Sequence, residues 1–330
     1  MINMNELILG FPNQLGEAIG IGERAKLSLA KKKITNILVS GLGGSGIGGT
    51  ILSELVAMEA TLPITVGKGY FIPKFVNENT LVIISSYSGN TEETLNAMNI
   101  ALKRKAKIVC VTSGGKIAEI AKKKKLDIIL IPGGNPPRAC LAYSLTQLFF
   151  ILSFHKVISN KFKGQLKSAC QLLVSQQKNI VSEARKVAGN IFQKTPMIYA
   201  TTYLEGVAIR FRQQLNENSK ILCGHQVIPE MNHNELVGWA GGSEKIAVVF
   251  FRDKDEFFRN NTRIEISKNI IKSHTPHSIE IWSQGKSQIE KAIYFIHLGD
   301  WVSLFLAELK GVDSVEVKVI DQLKGALAKI

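Results

Sequence analysis

Two segments rich in glycine and hydroxyl side chains are the clearest sign of chemistry in this chain. GLGGSGIGG runs from Gly41 to Gly49 and SSYSGNTEET from Ser85 to Thr94, each directly after a short β-branched run and before a helical pattern. A turn of this kind brings backbone N–H groups and the positive end of a helix dipole close to an anion. Gly44 and Ser45 in the first segment, with Ser86, Ser88 and Thr91 in the second, add close approach and neutral donors, so the pair reads as a cradle for a phosphate. A dinucleotide site competes for the first segment, because Gly41, Gly43 and Gly46 have suitable spacing. That site wants an acidic residue near the end of the next strand, where this chain has Val66, Gly67 and Lys68, and it has no use for a second hydroxyl-rich turn. Neither segment is a P-loop, since no Gly-Lys-Ser/Thr follows the glycines.

Both turns must sit at one edge of a sheet to share a ligand. Strand-like runs fall at 36–40, 63–66, 80–85, 107–112 and 127–131, with helical patterns between most of them. The second half repeats the rhythm at 197–201, 220–223, 246–251, 278–282 and 292–297. Punctuation repeats too: IVCVTSGG around Thr112 matches IEIWSQG around Ser283, and IILIPGG matches IYFIHLGD. The expectation is an α/β chain with two copies of one unit, each a five-stranded parallel sheet flanked by helices. A helix precedes the first copy, and helical sequence from about 142 to 193 joins the two. The division falls between 1–153, with the N-terminal helix and the phosphate turns, and 154–330, with the linking helices, the second unit and a C-terminal helix. Only the first copy keeps the phosphate turns, for the second has ATTYLEG at 200–206 and FFRDKDE at 250–256.

The 330 residues are 45% hydrophobic and 21% charged, enough to bury a large core in two units. The net charge of +14 would suit an anionic partner. Its lysines cluster at 31–33, 103–107 and 122–125 without interleaved aromatics, which favours solvated surface over nucleic-acid binding. Cys110, Cys140, Cys170 and Cys223 stand singly, with no pair or histidine at metal-ligand spacing, so neither zinc nor a disulfide framework is expected. The N-terminus has no basic lead with a long apolar stretch, and the apolar run 140–154 is broken by Ser144, Thr146 and Gln147. The expectation is a cytoplasmic protein without a signal peptide or membrane span.

GLGGSG together with SYSGNTEET and the TSGG at 112–115 resembles a sugar isomerase (SIS) domain, and the doubled unit resembles a tandem-SIS enzyme. PPRA at 136–139, NENSK at 216–220, PEMNHNE at 229–235 and DQLKGAL at 321–327 are similar to the bifunctional phosphoglucose/phosphomannose isomerase family, from about residue 36 onward. The resemblance implies phosphate binding by Ser45, Ser86, Ser88 and Thr91. It implies a base at Glu217, an enediolate-stabilising cation at Arg138, ring opening by His233 and a C-terminal lysine at Lys324. It implies interconversion of fructose 6-phosphate with glucose 6-phosphate and mannose 6-phosphate, with no cofactor and no metal. It also implies a homodimer with shared active sites, His233 reaching the neighbouring subunit's site.

The chemistry suits those residue types. Moving a proton between C2 and C1 of an open-chain sugar through an enediolate needs a carboxylate base and a fixed cation beside the developing charge. Pro136 and Pro137 stiffen the backbone that presents Arg138, and an imidazole is suited to carrying a ring-opening proton near neutrality. Taken alone, Glu217 reads equally as a capping carboxylate, between a helix over 205–214 and a strand over 220–223, and Lys324 as a solvated lysine on the amphipathic segment 319–330. Two rival functions are a sugar-phosphate sensor without turnover and an amino-sugar phosphate isomerase or synthase. The first would need an output module and the second a glutaminase domain or amine site, and neither is evident.

Overall fold

The computed structural model describes residues 3–327 and 329. Its first half is a parallel sheet in the order β2-β1-β3-β4-β5, built from β1 (Asn36–Ser40), β2 (Ile64–Gly67), β3 (Thr80–Ser85), β4 (Lys107–Thr112) and β5 (Asp127–Leu130). All six residues of β3 are buried, as expected for a central strand covered on both faces. The order reverses between β1 and β3, so the turns that follow these two strands open side by side into one crevice. The lysines at 122–124 close the helix Gly115–Lys124, where a positive charge suits the carbonyl end of the dipole, and they are exposed.

In the second half the sheet has four strands among the described residues, in the order β7-β6-β8-β9. These are β6 (Thr195–Thr201), β7 (Gly224–Ile228), β8 (Ile246–Arg252) and β9 (Ser278–Trp282), all parallel. The expected fifth strand at 292–297 is instead part of the helix Gln288–Lys310. AIYFIH is a continuous apolar run, and such a run is equally a buried strand or one stretch of a helix buried all round. The start signal decides it: Ser287 Oγ accepts from the Glu290 N–H at 3.2 Å, and a Glu290 oxygen accepts from the Lys286 N–H at 3.1 Å. By length and composition this helix can cross a membrane, yet 89% of its most apolar window is buried inside the fold.

The strand expected at 220–223 is a connector, and β7 begins after it at Gly224. Lys220 adopts the left-handed conformation that ends the preceding helix, with φ of 54°. That helix, Glu205–Ser219, is longer than its amphipathic pattern suggests, and it carries Glu217 in its last turn rather than in a loop. The C-terminal helix Lys318–Leu327 buries none of its residues; of the segment expected to be helical there, residues 328 and 330 lie outside the described residues.

The two halves meet through helices. Gly43–Leu55 follows β1 and packs along Glu205–Ser219, the helix that follows β6 in the second copy. They touch so closely that a Cβ on Gly206 would lie 3.0 Å from the backbone nitrogen of Ile51. At the same junction Glu54 accepts from the Gly206 N–H with both carboxylate oxygens, at 2.9 and 2.8 Å. A carboxylate from the first copy thus caps the helix start of the second.

Candidate active site

The two hydroxyl turns are bonded to each other. Ser45 Oγ accepts from the Tyr87 N–H at 2.9 Å, and Ser85 Oγ donates to the Ser45 carbonyl at 3.3 Å. Within the second turn Ser86 Oγ and Thr91 Oγ1 are 3.1 Å apart, and Ser88 Oγ accepts from the Asn90 N–H at 3.3 Å. A hydroxyl has one donor and two lone pairs, so Ser45, Ser88 and one member of the Ser86–Thr91 pair each keep an O–H free for an anion. The helices that begin at Gly43 and Glu92 have no side-chain cap on their first N–H groups. Gly46 is required by this packing, since a Cβ there would lie 2.4 Å from the Gly41 carbonyl oxygen.

Arg138 lies in the short 3-10 turn Pro137–Ala139, which rests on the first phosphate turn: a Cβ on Gly44 would come within 2.9 Å of the Pro137 carbonyl oxygen. Arg138 is only 4% exposed, and each of its three side-chain nitrogens has an acceptor, with one Nη1 N–H left over. Nε donates to Asn218 Oδ1 at 2.7 Å, Nη2 to the carbonyls of Ser314 and Val315 at 2.7 and 2.9 Å, and Nη1 to Glu217 Oε2 at 3.4 Å. Burial lowers the guanidinium pKa from its ordinary value, while the nearby carboxylates of Glu217 and Asp313 oppose that shift. Glu217 itself keeps a 30% exposed side chain beside this cation. Lys220 ties the same corner together, donating to the carbonyls of Glu217, Asp313 and Glu316 at 2.6, 2.8 and 2.8 Å.

The structure therefore brings Gly44, Ser45, Ser86, Ser88, Thr91, Arg138 and Glu217 to one corner between the two halves. It does not bring His233 there. The turn Glu230–His233 packs on the far face of the second sheet, where Met231 joins a core with Tyr199, Phe250 and Ile271 and Asn232 Nδ2 donates to Ser267 Oγ at 2.8 Å. The helix carrying Glu217 covers the other face, where the rings of Phe211 and Phe251 lie 5.7 Å apart and Leu215 shares one buried core with Val249. His233 is exposed. Lys324 is exposed too, on a helix whose lead-in, Asp313 to Glu316, is the segment moored by Arg138 and Lys220. Among the described residues neither side chain makes a hydrogen bond or ion pair.

Sequence reasoning missed Asn218 and the carbonyls of Ser314 and Val315 as partners of Arg138. Asn218 stands inside the NENSK motif, beside the residue that was singled out, and that adjacency was the available signal.

Comparison with known proteins agrees with this architecture. A model of the SIS domain matches residues 28–154, and a model of the bacterial phospho-glucose isomerase C-terminal SIS domain matches residues 180–327. The bifunctional phosphoglucose/phosphomannose isomerase of Caldicellulosiruptor bescii is 36% identical, over 99% of this chain and 99% of its own. The protein of the same name from Aquifex aeolicus is 35% identical, over 89% of this chain and 90% of its own. Among solved structures, the C-terminal domain of glucosamine-fructose-6-phosphate aminotransferase from Francisella tularensis superposes with a TM-score of 0.76 at 17% identity, covering 95% of this chain and 97% of that one. That last likeness concerns the fold alone.

Proposed function

The chain belongs to the bifunctional phosphoglucose/phosphomannose isomerase family, and we propose that it interconverts fructose 6-phosphate with both glucose 6-phosphate and mannose 6-phosphate. It is an aldose–ketose isomerase of sugar phosphates. The observation that supports the proposed site is the meeting of Arg138 with Glu217 beside the two phosphate turns, although the two residues come from opposite halves of the chain.

In this reading the hydroxyls of Ser45, Ser86, Ser88 and Thr91, with the free N–H groups behind them, hold the sugar's phosphate. Glu217 takes the proton from C2 of the open-chain aldose and returns it to C1, while the O2 hydroxyl proton passes to O1, so that the carbonyl moves from C1 to C2. Arg138, held in place before substrate arrives, stabilises the negative charge that forms on the enediolate oxygen. Glucose and mannose phosphates differ only at C2, so both pass through the same enediolate and one base serves both.

Ring opening is assigned to His233 of a second copy, with Lys324 either assisting beside it or holding substrate oxygens. Support comes from the position of His233 across the sheet from Glu217, and from a C-terminal helix that leaves Val319, Leu323 and Leu327 uncovered. A homodimer gives both features a use, and we place it in the cytoplasm.

A coupled assay with each hexose phosphate tests the reading. Turnover between fructose 6-phosphate and both aldoses is expected, and EDTA should leave the rate unchanged. Binding of all three without isomerisation would make the chain a sensor; turnover confined to amino-sugar phosphates would reassign its substrate.

A further inference from the structure

We infer that Asn218 is a positioning residue that aims the Arg138 guanidinium at the reacting oxygen, an inference that rests on the roles proposed above for Arg138 and Glu217. Asn218 is fully buried, one residue after Glu217. Its Oδ1 accepts from Arg138 Nε at 2.7 Å, its Nδ2 donates to Ser303 Oγ at 2.9 Å, and Ser303 Oγ donates to the Asp300 carbonyl at 2.7 Å. The two ends fix the direction of this chain. A guanidinium only donates and a backbone carbonyl only accepts, so a single orientation of the amide satisfies both neighbours.

A second line reaches the same arginine. Arg210 Nη2 donates to the Arg138 carbonyl at 3.0 Å and to Asp300 at 2.9 Å, while Gln214 Nε2 donates to Asp300 Oδ1 at 2.8 Å. Asp300 and Ser303 lie on Gln288–Lys310, and Arg210, Gln214 and Asn218 on Glu205–Ser219. Two buried helices of the second half thus hold an arginine of the first.

Nη2 is occupied by two carbonyls and Nη1 faces Glu217, so the bond at Nε sets the plane in which Nη1 can meet an oxygen beside the base. Without Asn218 the Nε–H is left buried and unpaired, and the plane turns to seek another acceptor. The phosphate turns are untouched by this, so the loss falls on the transition state more than on binding.

The test compares full-length variants with fructose 6-phosphate. Asn218→Ala should lower kcat by about 10- to 100-fold and leave KM within about threefold. In an Arg138→Lys background the same change should cost less than about threefold, because lysine has no Nε–H in a plane to be held. A residue that only supports the fold would cost the same factor in both backgrounds, and that outcome, or an unchanged kcat, overturns the inference. Asn218→Asp provides a second reading should the alanine variant fail to fold. It keeps an acceptor for the Arg138 Nε–H, so its kcat should fall by less than about tenfold, and a larger loss counts against the inference. If Arg138→Lys and Glu217→Gln both keep wild-type turnover, the proposed site falls, and Asn218's role falls with it.

Discussion

A methyl group added to Gly44 would stand 3.1 Å from the backbone nitrogen of Arg138. The turn proposed to receive the phosphate therefore rests on the turn that carries Arg138, with no side chain between them to absorb a change. The obstructing atoms are backbone, so one of the two turns has to shift.

Gly44→Ala is accordingly expected to reduce kcat/KM for fructose 6-phosphate by at least about tenfold, as small displacements of catalytic groups do. Its circular dichroism spectrum should match that of the wild type. Wild-type kinetics in a folded Gly44→Ala protein would remove the contact between these turns from the account of the site.

Thr91→Val removes one of the donors proposed to hold the phosphate, a charged group held equally before and during reaction. KM should rise by the equivalent of about 1.5–3 kcal/mol while kcat changes little. Ser88→Ala should behave alike. Inorganic phosphate, measured as a competitive inhibitor, should weaken in parallel. A fall in kcat at constant KM would mean that these hydroxyls do something other than hold the phosphate.

If the sites are shared in a dimer as proposed, mixing inactive Glu217→Gln with inactive His233→Ala should restore part of the activity, because a mixed dimer then assembles one site with both native side chains. Differently tagged chains allow the mixed dimers to be isolated before assay. Mixed dimers as inactive as their parents would confine His233 to its own chain or remove it from catalysis. Glu217→Gln alone should lose about two to four orders of magnitude in kcat.

Burial pushes the Glu54 carboxyl up to about 7 from an ordinary 4.5; Glu205 adds to the shift and the Gly206 N–H opposes it. Below 4.5 the group is protonated whether the chain is folded or not. Between 4.5 and 7 the unfolded chain has lost the proton that the folded chain keeps, so stability falls as pH rises, by roughly 3 kcal/mol in total. Glu54→Gln abolishes the titration. The variant's unfolding free energy should gain on the wild type between pH 5 and 8, and a difference that stays constant with pH would show that Glu54 titrates normally.

The first sheet was legible because β1, β3 and β4 are β-branched runs buried on both faces and bounded by glycine or hydroxyl turns. The second sheet was less so. AIYFIH is apolar throughout, and only Ser287 and Glu290 before it announce a helix; IYFIHLGD also imitates the end of a strand. Glu217 was read into a loop because NENS is polar, yet Asn218 and Ser219 are fully buried and satisfied by Ser303, which lies 85 residues away from Asn218. No local pattern encodes that partnership. The two hydroxyl turns were legible as glycine-rich strand-to-helix turns, and the phosphate role proposed for them rests on their chemistry, whereas the roles proposed for Arg138, His233 and Lys324 came from resemblance, since each as a lone residue has an ordinary surface or packing explanation.

The junction of Glu54 with Gly206 changes how the repeated architecture should be counted. Each copy begins a helix at the place where an anion is best received, but in the second copy the protein's own Glu54 carboxyl occupies that seat. In the site proposed above the first helix start faces the substrate, and its counterpart serves as the rivet between the halves. On that reading a chain with two such folds takes one hexose phosphate, and binding should saturate at one ligand per chain rather than two.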